Sequence, residues 1–241
     1  MHGQATLSWA AQNGHEQVVR VLLERSDINP NIADTQCGRT SLSLASQNGH
    51  EGVVRVLLER SDLDPNIVDP EGGQTPLSLA SMNGHEEVVR ILVKRDDVDP
   101  NIRDTADGRT PLWWAARNGH EGAVGALLIG RHVDPNIADS GSGRTPLYLA
   151  AENRHEGVVR MLLERNDTDP NRADTKSGMT PLLLASVNGW EEIVRMLGAR
   201  NDIDLNKADA QEGFSPLGRA VLYGHLAIVK MLLQLGADVN Q

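Results

Sequence analysis

Histidine recurs at positions 15, 50, 85, 120 and 155, each 35 residues from the last, and again at 225. A column of imidazoles invites a metal reading. Ligands of one zinc must each approach within roughly 2.1 Å of it, whereas stacked helices lie about 8–10 Å apart. Neighbouring units therefore cannot share an ion through this column, and each His is expected to tie down its own inter-helix loop. The run Asp62-x-Asp64-x-Asn66-x-x-Asp69 invites calcium. Such a loop needs Gly at its sixth position and Glu at its twelfth; here those positions hold Ile67 and Gly73, with Pro65 stiffening the middle. These carboxylates read instead as turn caps and solubilising charge. The single cysteine, Cys37, has no His beside it in a recognisable arrangement and is expected at an exposed turn tip. It can form no internal disulfide and asks for no oxidising compartment. No glycine-rich loop is placed to cradle phosphate. The expectation is a chain without catalytic residues, metal or cofactor, and so not an enzyme.

The elements that carry these residues are themselves periodic. Glycine stands at 3, 38, 73, 108, 143, 178 and 213, which divides the chain into 3–37, 38–72, 73–107, 108–142, 143–177, 178–212 and 213–241. A fixed period of this size means one supersecondary unit repeated and stacked, each burying its apolar face on the next. In residues 73–107, Thr75-Pro76 is a helix start, with a capping hydroxyl and a Pro suited to the first turn. Leu77, Leu79 and Ala80 give this short helix its apolar face, and Asn83-Gly84 ends it. A second helix starts near Glu86, with Val88, Val89, Ile91, Leu92 and Val93 at helical spacing. Residues 97–108, rich in Asp, Pro, Asn and Gly, read as an extended turn. Helices this short are marginal alone; burying each Val or Leu against a neighbour contributes roughly 1.5–3 kcal/mol. Glu lies four residues before Arg in five second helices (16/20, 51/55, 86/90, 156/160 and 191/195), an orientation worth roughly 0.2–0.5 kcal/mol a pair.

Gly-Arg-Thr-Pro-Leu, paired small residues (Ala115-Ala116, Ala150-Ala151), Asn-Gly-His and Val-Val-Arg-x-Leu-Leu together resemble the ankyrin repeat, seven times over essentially the whole chain. The fold implied is an all-α repeat solenoid, a stack of helix-turn-helix units with β-hairpin or turn fingers. The units run to 35 residues where roughly 33 is usual, so the fingers should be slightly longer or bulged. The usual Thr-Pro-Leu-His loses its His, and the Asp-Pro-Asn variant is similar to arrays appended to large fungal proteins. The resemblance implies protein–protein recognition through a concave surface of finger tips and short inner helices, with no cofactor.

Function is sought where a unit departs from its neighbours. Trp113 and Tyr148 replace the serines of earlier units, and Trp114 stands beside the first. The residues after the small pair (Arg117 and Glu152 here) and after the unit's Gly (Arg109 and Arg144) vary freely; by resemblance both columns face the groove. Arg109, Trp113, Arg117, Arg144, Tyr148 and Glu152 form the expected partner site, its aromatics projecting as anchors whose loss would weaken capture without lowering stability. Trp9 and Trp114 are read as core fillers. The same units look soft: Gly125 and Gly130 are placed in a second helix, and Arg154 takes a left-handed cap position held by Gly elsewhere. Exchange is thus expected to be fastest at 122–132 and 152–156. Trp190, in the place of a recurring His, has no assigned role.

A net charge of −10 weighs against nucleic acid or anionic membrane as partner, and no apolar run is long enough to span a bilayer. The expected protein is intracellular and cytoplasmic, a monomer able to self-associate end to end and a fragment of a longer chain. Two rivals stand beside recognition: an architectural spacer positioning flanking domains, and the recognition module of a larger signalling NTPase or enzyme.

Overall fold

The computed structural model describes residues 2–35 and 37–240. Fourteen helices and no strand occur among the described residues. They alternate as shorter first and longer second helices: α1 (His2–Gln12), α2 (Glu16–Leu23), α3 (Ser41–Gln47), α4 (Glu51–Leu58), α5 (Pro76–Met82), α6 (Glu86–Val93), α7 (Pro111–Arg117) and α8 (Glu121–Leu128). Then follow α9 (Pro146–Glu152), α10 (Glu156–Glu164), α11 (Pro181–Asn188), α12 (Glu191–Gly198), α13 (Pro216–Leu222) and α14 (Leu226–Leu235); α1 is longer than α2, and α11 and α12 are equal in length. The chain divides into two compact bodies, Met1–Ala115 with His120–Val133, and Ala116–Gly119 with Asp134–Gln241. In the first body α1, α3 and α5 form one row and α2, α4, α6 and α8 another. In the second, α9, α11 and α13 form one row and α10, α12 and α14 the other.

Local chemistry starts each first helix where the sequence says it should. The hydroxyls of Thr40, Thr75 and Thr180 accept from the backbone N–H three residues on at 3.1 Å. Pro follows at the first helical turn in α5, α9, α11 and α13. Gly49 and Gly84 end their helices at φ +74, a left-handed conformation that only glycine adopts without cost. The core is aliphatic: Val54, Leu57, Val89 and Leu92 in one body and Val159, Leu162, Val194 and Leu197 in the other are fully buried.

The histidines act across repeats, a correction to the loop-tying expectation. The Nε2–H of His50 donates to the Gln12 carbonyl, that of His85 to Gln47 and that of His120 to Met82. In the second body His155 and His225 donate likewise to Arg117 and Val187. Each partner lies 38 residues back, in the preceding repeat. A carbonyl can only accept, so these bonds fix the tautomer with Nε2 protonated.

Asn in the Asp-Pro-Asn run is a second inter-repeat clamp. Asn66 Nδ2 donates to the Asp97 carbonyl at 2.6 Å while its Oδ1 accepts from the Asp99 N–H at 2.9 Å. Asn31 and Asn171 repeat both bonds on Asp62/Asp64 and Asp202/Asp204. The finger tips are turns rather than strands. Asp69, buried, accepts from the Gly72 N–H at 2.8 Å, and its own N–H donates to the Gln74 carbonyl at 3.0 Å. Turn capping by carboxylates is therefore as expected.

Other placements differ. Cys37 is half-buried, its thiol donating to Asp34, and burial pushes it up from the ordinary thiol range. Trp9 is 60% exposed rather than core. Gly130 lies just past the end of α8, not within it. Of the Glu–Arg pairs, Arg20 and Arg55 reach Glu16 and Glu51 at 3.6 and 4.0 Å, and Arg90 meets both Glu86 and Glu87. Arg195 pairs with Glu192 rather than Glu191. Arg55 also bridges repeats, reaching Glu87 at 2.7 Å. No helix among the described residues is long and apolar enough to cross a membrane.

Candidate recognition surface

From α3 onwards each first helix is entered through Gly, a variable residue and a capping Thr or Ser, so the variable side chain leaves the backbone just before the helix. In α3 that residue, Arg39, lies along the helix. Its Nη1 donates to Gln47 Oε1 at 2.9 Å, eight residues on, and its Nε to buried Asp69 at 3.0 Å. The two freely varying columns of the sequence therefore touch one another within a repeat.

In the second body the same geometry carries charge at both ends. Arg144 reaches Glu152 at 2.9 Å, with about a third of each side chain exposed. Its guanidinium lies 5.2 Å from the centre of the Tyr148 ring. Tyr148 is 2% exposed, and its backbone N–H donates to the Thr145 cap. Burial, with the Asp174 charge next, pushes its hydroxyl up to about 12.

Arg109 belongs to the first body, and the residue eight positions on in the sequence is Arg117, whose side chain offers no acceptor. Arg109 pairs with Asp107 instead. Its guanidinium lies 5.0 Å from the Trp113 ring centre and 4.9 Å from that of Trp114, and the two rings meet edge-on at 5.0 Å. A cation over an aromatic face is held by the ring quadrupole, more strongly when water is excluded. The Nε atoms of Arg109 and Arg144 are buried without an acceptor. Trp113 is 4% exposed. Trp114 is half-buried, its indole N–H donating to Asp104 at 3.2 Å.

The expectation that Trp113 and Tyr148 project as anchors is corrected. Both lie at the third residue of their helix, a position buried even where it holds Ser43 or Ser78. The arginine before each cap closes over it. What these positions present outward is the guanidinium of Arg109 or Arg144, backed by an aromatic ring, together with Glu152 and the exposed Arg117.

A model of ankyrin repeats (three copies) matches residues 2–69, 60–139, 96–174 and 166–241. The chain belongs to the ankyrin-repeat family. Ankyrin repeats are generally protein–protein interaction modules, and the family is typically non-catalytic. A search of curated proteins finds no match. Within this ankyrin array the histidine column has a structural use, since each Nε2 described above is engaged by a carbonyl. Sequence reasoning missed the buried Asp column as a receiver. Asp209 takes Arg219 at 2.8 Å, as Asp104 takes Trp114. Burial pushes Asp209 up, but the N–H groups of Glu212 and Gln211 and the charge of Arg219 outweigh it and hold it below the ordinary carboxylate range. The signal was available: position 104 of one repeat and 209 of another are each followed ten residues later by an unusual donor, Trp114 and Arg219.

Proposed function

We propose that this chain is a non-catalytic recognition module that binds a partner protein through the groove of its ankyrin array. Arg109, Arg117, Arg144 and Glu152 make the contacts, with Trp113 and Tyr148 as their rigid backing. The reading takes the array as seven repeats with the boundaries given above, intracellular, and monomeric apart from end-to-end association. The observation that carries it is the guanidinium lying over an aromatic ring at Arg109 and again at Arg144. A guanidinium held over a ring loses less freedom on binding than a free side chain, and Arg is prominent at interface hot spots. Neither stack is required by the repeat, because Ser43 and Ser78 fill the same position in neighbouring repeats.

The test compares partner capture by the unaltered chain, by Arg109→Ala/Arg144→Ala, and by Arg20→Ala on the outer face of a second helix. Recognition through this surface requires capture to fall at least about tenfold in the first variant only. Equal capture by all three favours the spacer reading.

A further inference from the structure

A cavity of about 580 Å³ opens beside the segment that follows α8, in the first body, and its lining includes Lys94, Gly130, Arg131 and His132. It lies where a repeated clamp has been deleted. In the repeats before it, an arginine just past the second helix reaches back one repeat. Arg60 donates to the carbonyls of Leu23 at 3.2 Å and Ile28 at 3.5 Å, and Arg95 to that of Leu58 at 3.3 Å. Each is held by a carboxylate two residues on, Asp62 or Asp97. In the second body Arg200 does the same with Leu163, Arg165, Thr168 and Asp202. The position equivalent to these arginines in the fourth repeat is Gly130, and the equivalent of their aspartates is His132. Both halves of the clamp are gone together. The carbonyls that a clamp here would cover are those of Val93, Arg95 and Val98, and all three residues line the cavity.

The charge of the rim has been reversed as well. Lys94 stands where other repeats carry Glu24, Glu59 and Glu164. Arg131 stands where they carry Ser26 or Ser61, and His132 where they carry Asp27, Asp62, Asp167 and Asp202. Lys94, Arg131 and His132 are exposed. Other charges face the cavity too. Arg90 and Arg95 line it but are balanced by Glu86, Glu87 and Asp97, and Asp96 contributes one carboxylate. In a chain of net charge −10, a cavity gained by deletion and rimmed by substituted cations is suited to an anion. Coulomb attraction from several cations favours a doubly charged group over a single carboxylate. The backbone carbonyls of these lining residues would repel an anion and accept only from a donor.

We propose that this cavity binds a phosphoryl group carried next to a hydrogen-bond donor, the phosphate on Lys94 and Arg131 and the donor on the Val93 and Val98 carbonyls. A small hydroxylated phosphate ester and a phosphorylated serine with its peptide N–H share that chemistry. The site is separate from the Arg109 and Arg144 clusters.

Backbone amide shifts are followed while the full chain is titrated at constant ionic strength with glycerol 3-phosphate, N-acetyl-phosphoserine amide, unphosphorylated N-acetyl-serine amide, or acetate. The expected result is saturable shifts confined to residues 93–98 and 129–133 with either phosphorylated probe. Affinity should fall about tenfold or more in Lys94→Glu/Arg131→Ser, which restores the residues of neighbouring repeats at exposed positions. Gly130→Arg/His132→Asp, rebuilding the clamp, should abolish the shifts; should it fail to fold, the exposed double variant decides alone. Tighter binding of the glycerol ester assigns the site to small esters, and tighter binding of the phosphoserine amide assigns it to phosphorylated chains. Absence of saturable shifts, equal shifts with acetate, or unchanged affinity in Lys94→Glu/Arg131→Ser overturns the proposal.

Discussion

The Nε2–H of His85 donates to the carbonyl of Gln47 at 2.9 Å, and the same ring covers Gly49 so closely that a Cβ there would lie 2.6 Å from its Nδ1. One side chain thus joins two repeats and forbids a side chain on the first. The Asn-Gly-His run is therefore a joint between repeats, with glycine required twice, for its left-handed backbone and for the ring above it.

That double requirement can be separated by substitution. Gly49 and Gly224 share nearly the same backbone, φ +74 and +73, but nothing lies within 4 Å of a Cβ at Gly224. Alanine at either position should lose roughly 1–2 kcal/mol to left-handed strain. Gly49→Ala must also displace His85, which adds about 1–3 kcal/mol of overpacking. Chemical denaturation should place Gly49→Ala clearly below Gly224→Ala; equal losses would refute the ring-over-glycine account.

The same joint gives Trp190 a reason. Arg154 holds φ 58, the one positive φ at a non-glycine among the described residues, and it occupies the glycine position of its repeat. The ring position one repeat later is Trp190 instead of His. A Cβ at residue 154 stands where a histidine ring would otherwise pack, so losing the glycine and losing the histidine belong together. Arg154→Gly should stabilise by about 1 kcal/mol through relief of strain, while Trp190→His alone should gain nothing. Combined, the two should exceed the sum of their separate effects by about 1 kcal/mol. Strict additivity in the double-mutant cycle would mean the substitutions are unrelated.

Much of this was legible in the sequence. The period, the Thr and Ser caps, the left-handed glycines and the alternation of short and long helices follow from propensities acting within one repeat. The bonds that join repeats were not, because each links residues 30 or more positions apart. His85 to Gln47, Asn66 to Asp97 and Arg60 to Leu23 are visible only once the helices are stacked. The burial of Trp113 and Tyr148 is hidden from the sequence for a related reason. A large aromatic replacing serine looks like a surface anchor until the preceding arginine is seen to close over it.

Substitution at the two clusters should therefore divide by role. Trp113→Ser empties a buried position and is expected to cost about 3–5 kcal/mol, the opposite of what a surface anchor would do. Arg109→Ala removes a partly exposed side chain and its contact with the ring, for a loss of about 1 kcal/mol or less. Thermal or denaturant unfolding of the pair checks this. A Trp113→Ser variant as stable as the parent would restore the exposed-anchor reading.

Local opening should concentrate where the clamps are missing. Gly125 lies inside α8 and weakens it by roughly 0.8–1 kcal/mol relative to alanine. Gly130 leaves the Arg-to-carbonyl ties of Arg60 and Arg95 without a counterpart one repeat on. Amide exchange at 122–132 should therefore outpace the equivalent amides at 52–62 by about tenfold, with 152–156, around Arg154, next. Matching protection in 52–62 and 122–132 would show that these ties contribute little to local stability.

Tyr148 supplies a pH-dependent readout of its cluster. Burial first, then the charge of Asp174 and that of Glu152, disfavour the phenolate; Arg144 offsets only part of this, and the hydroxyl is pushed up to about 12 from 10.0. A folded-state value above the unfolded one means the unfolded chain gives up the proton first. The stabilisation is thus fully present below about pH 10 and is lost as pH rises towards about 12, amounting to about 2–3 kcal/mol at its limit. Tyr148→Phe removes the titrating group, so the stability difference between parent and variant should be constant below about pH 9 and shift in favour of the variant above about pH 10. Tyrosinate absorbance of the folded parent should show a late-ionising component near pH 12 that the variant lacks. If that component titrates near 10 in the folded protein, the Tyr148 hydroxyl is open to solvent rather than buried.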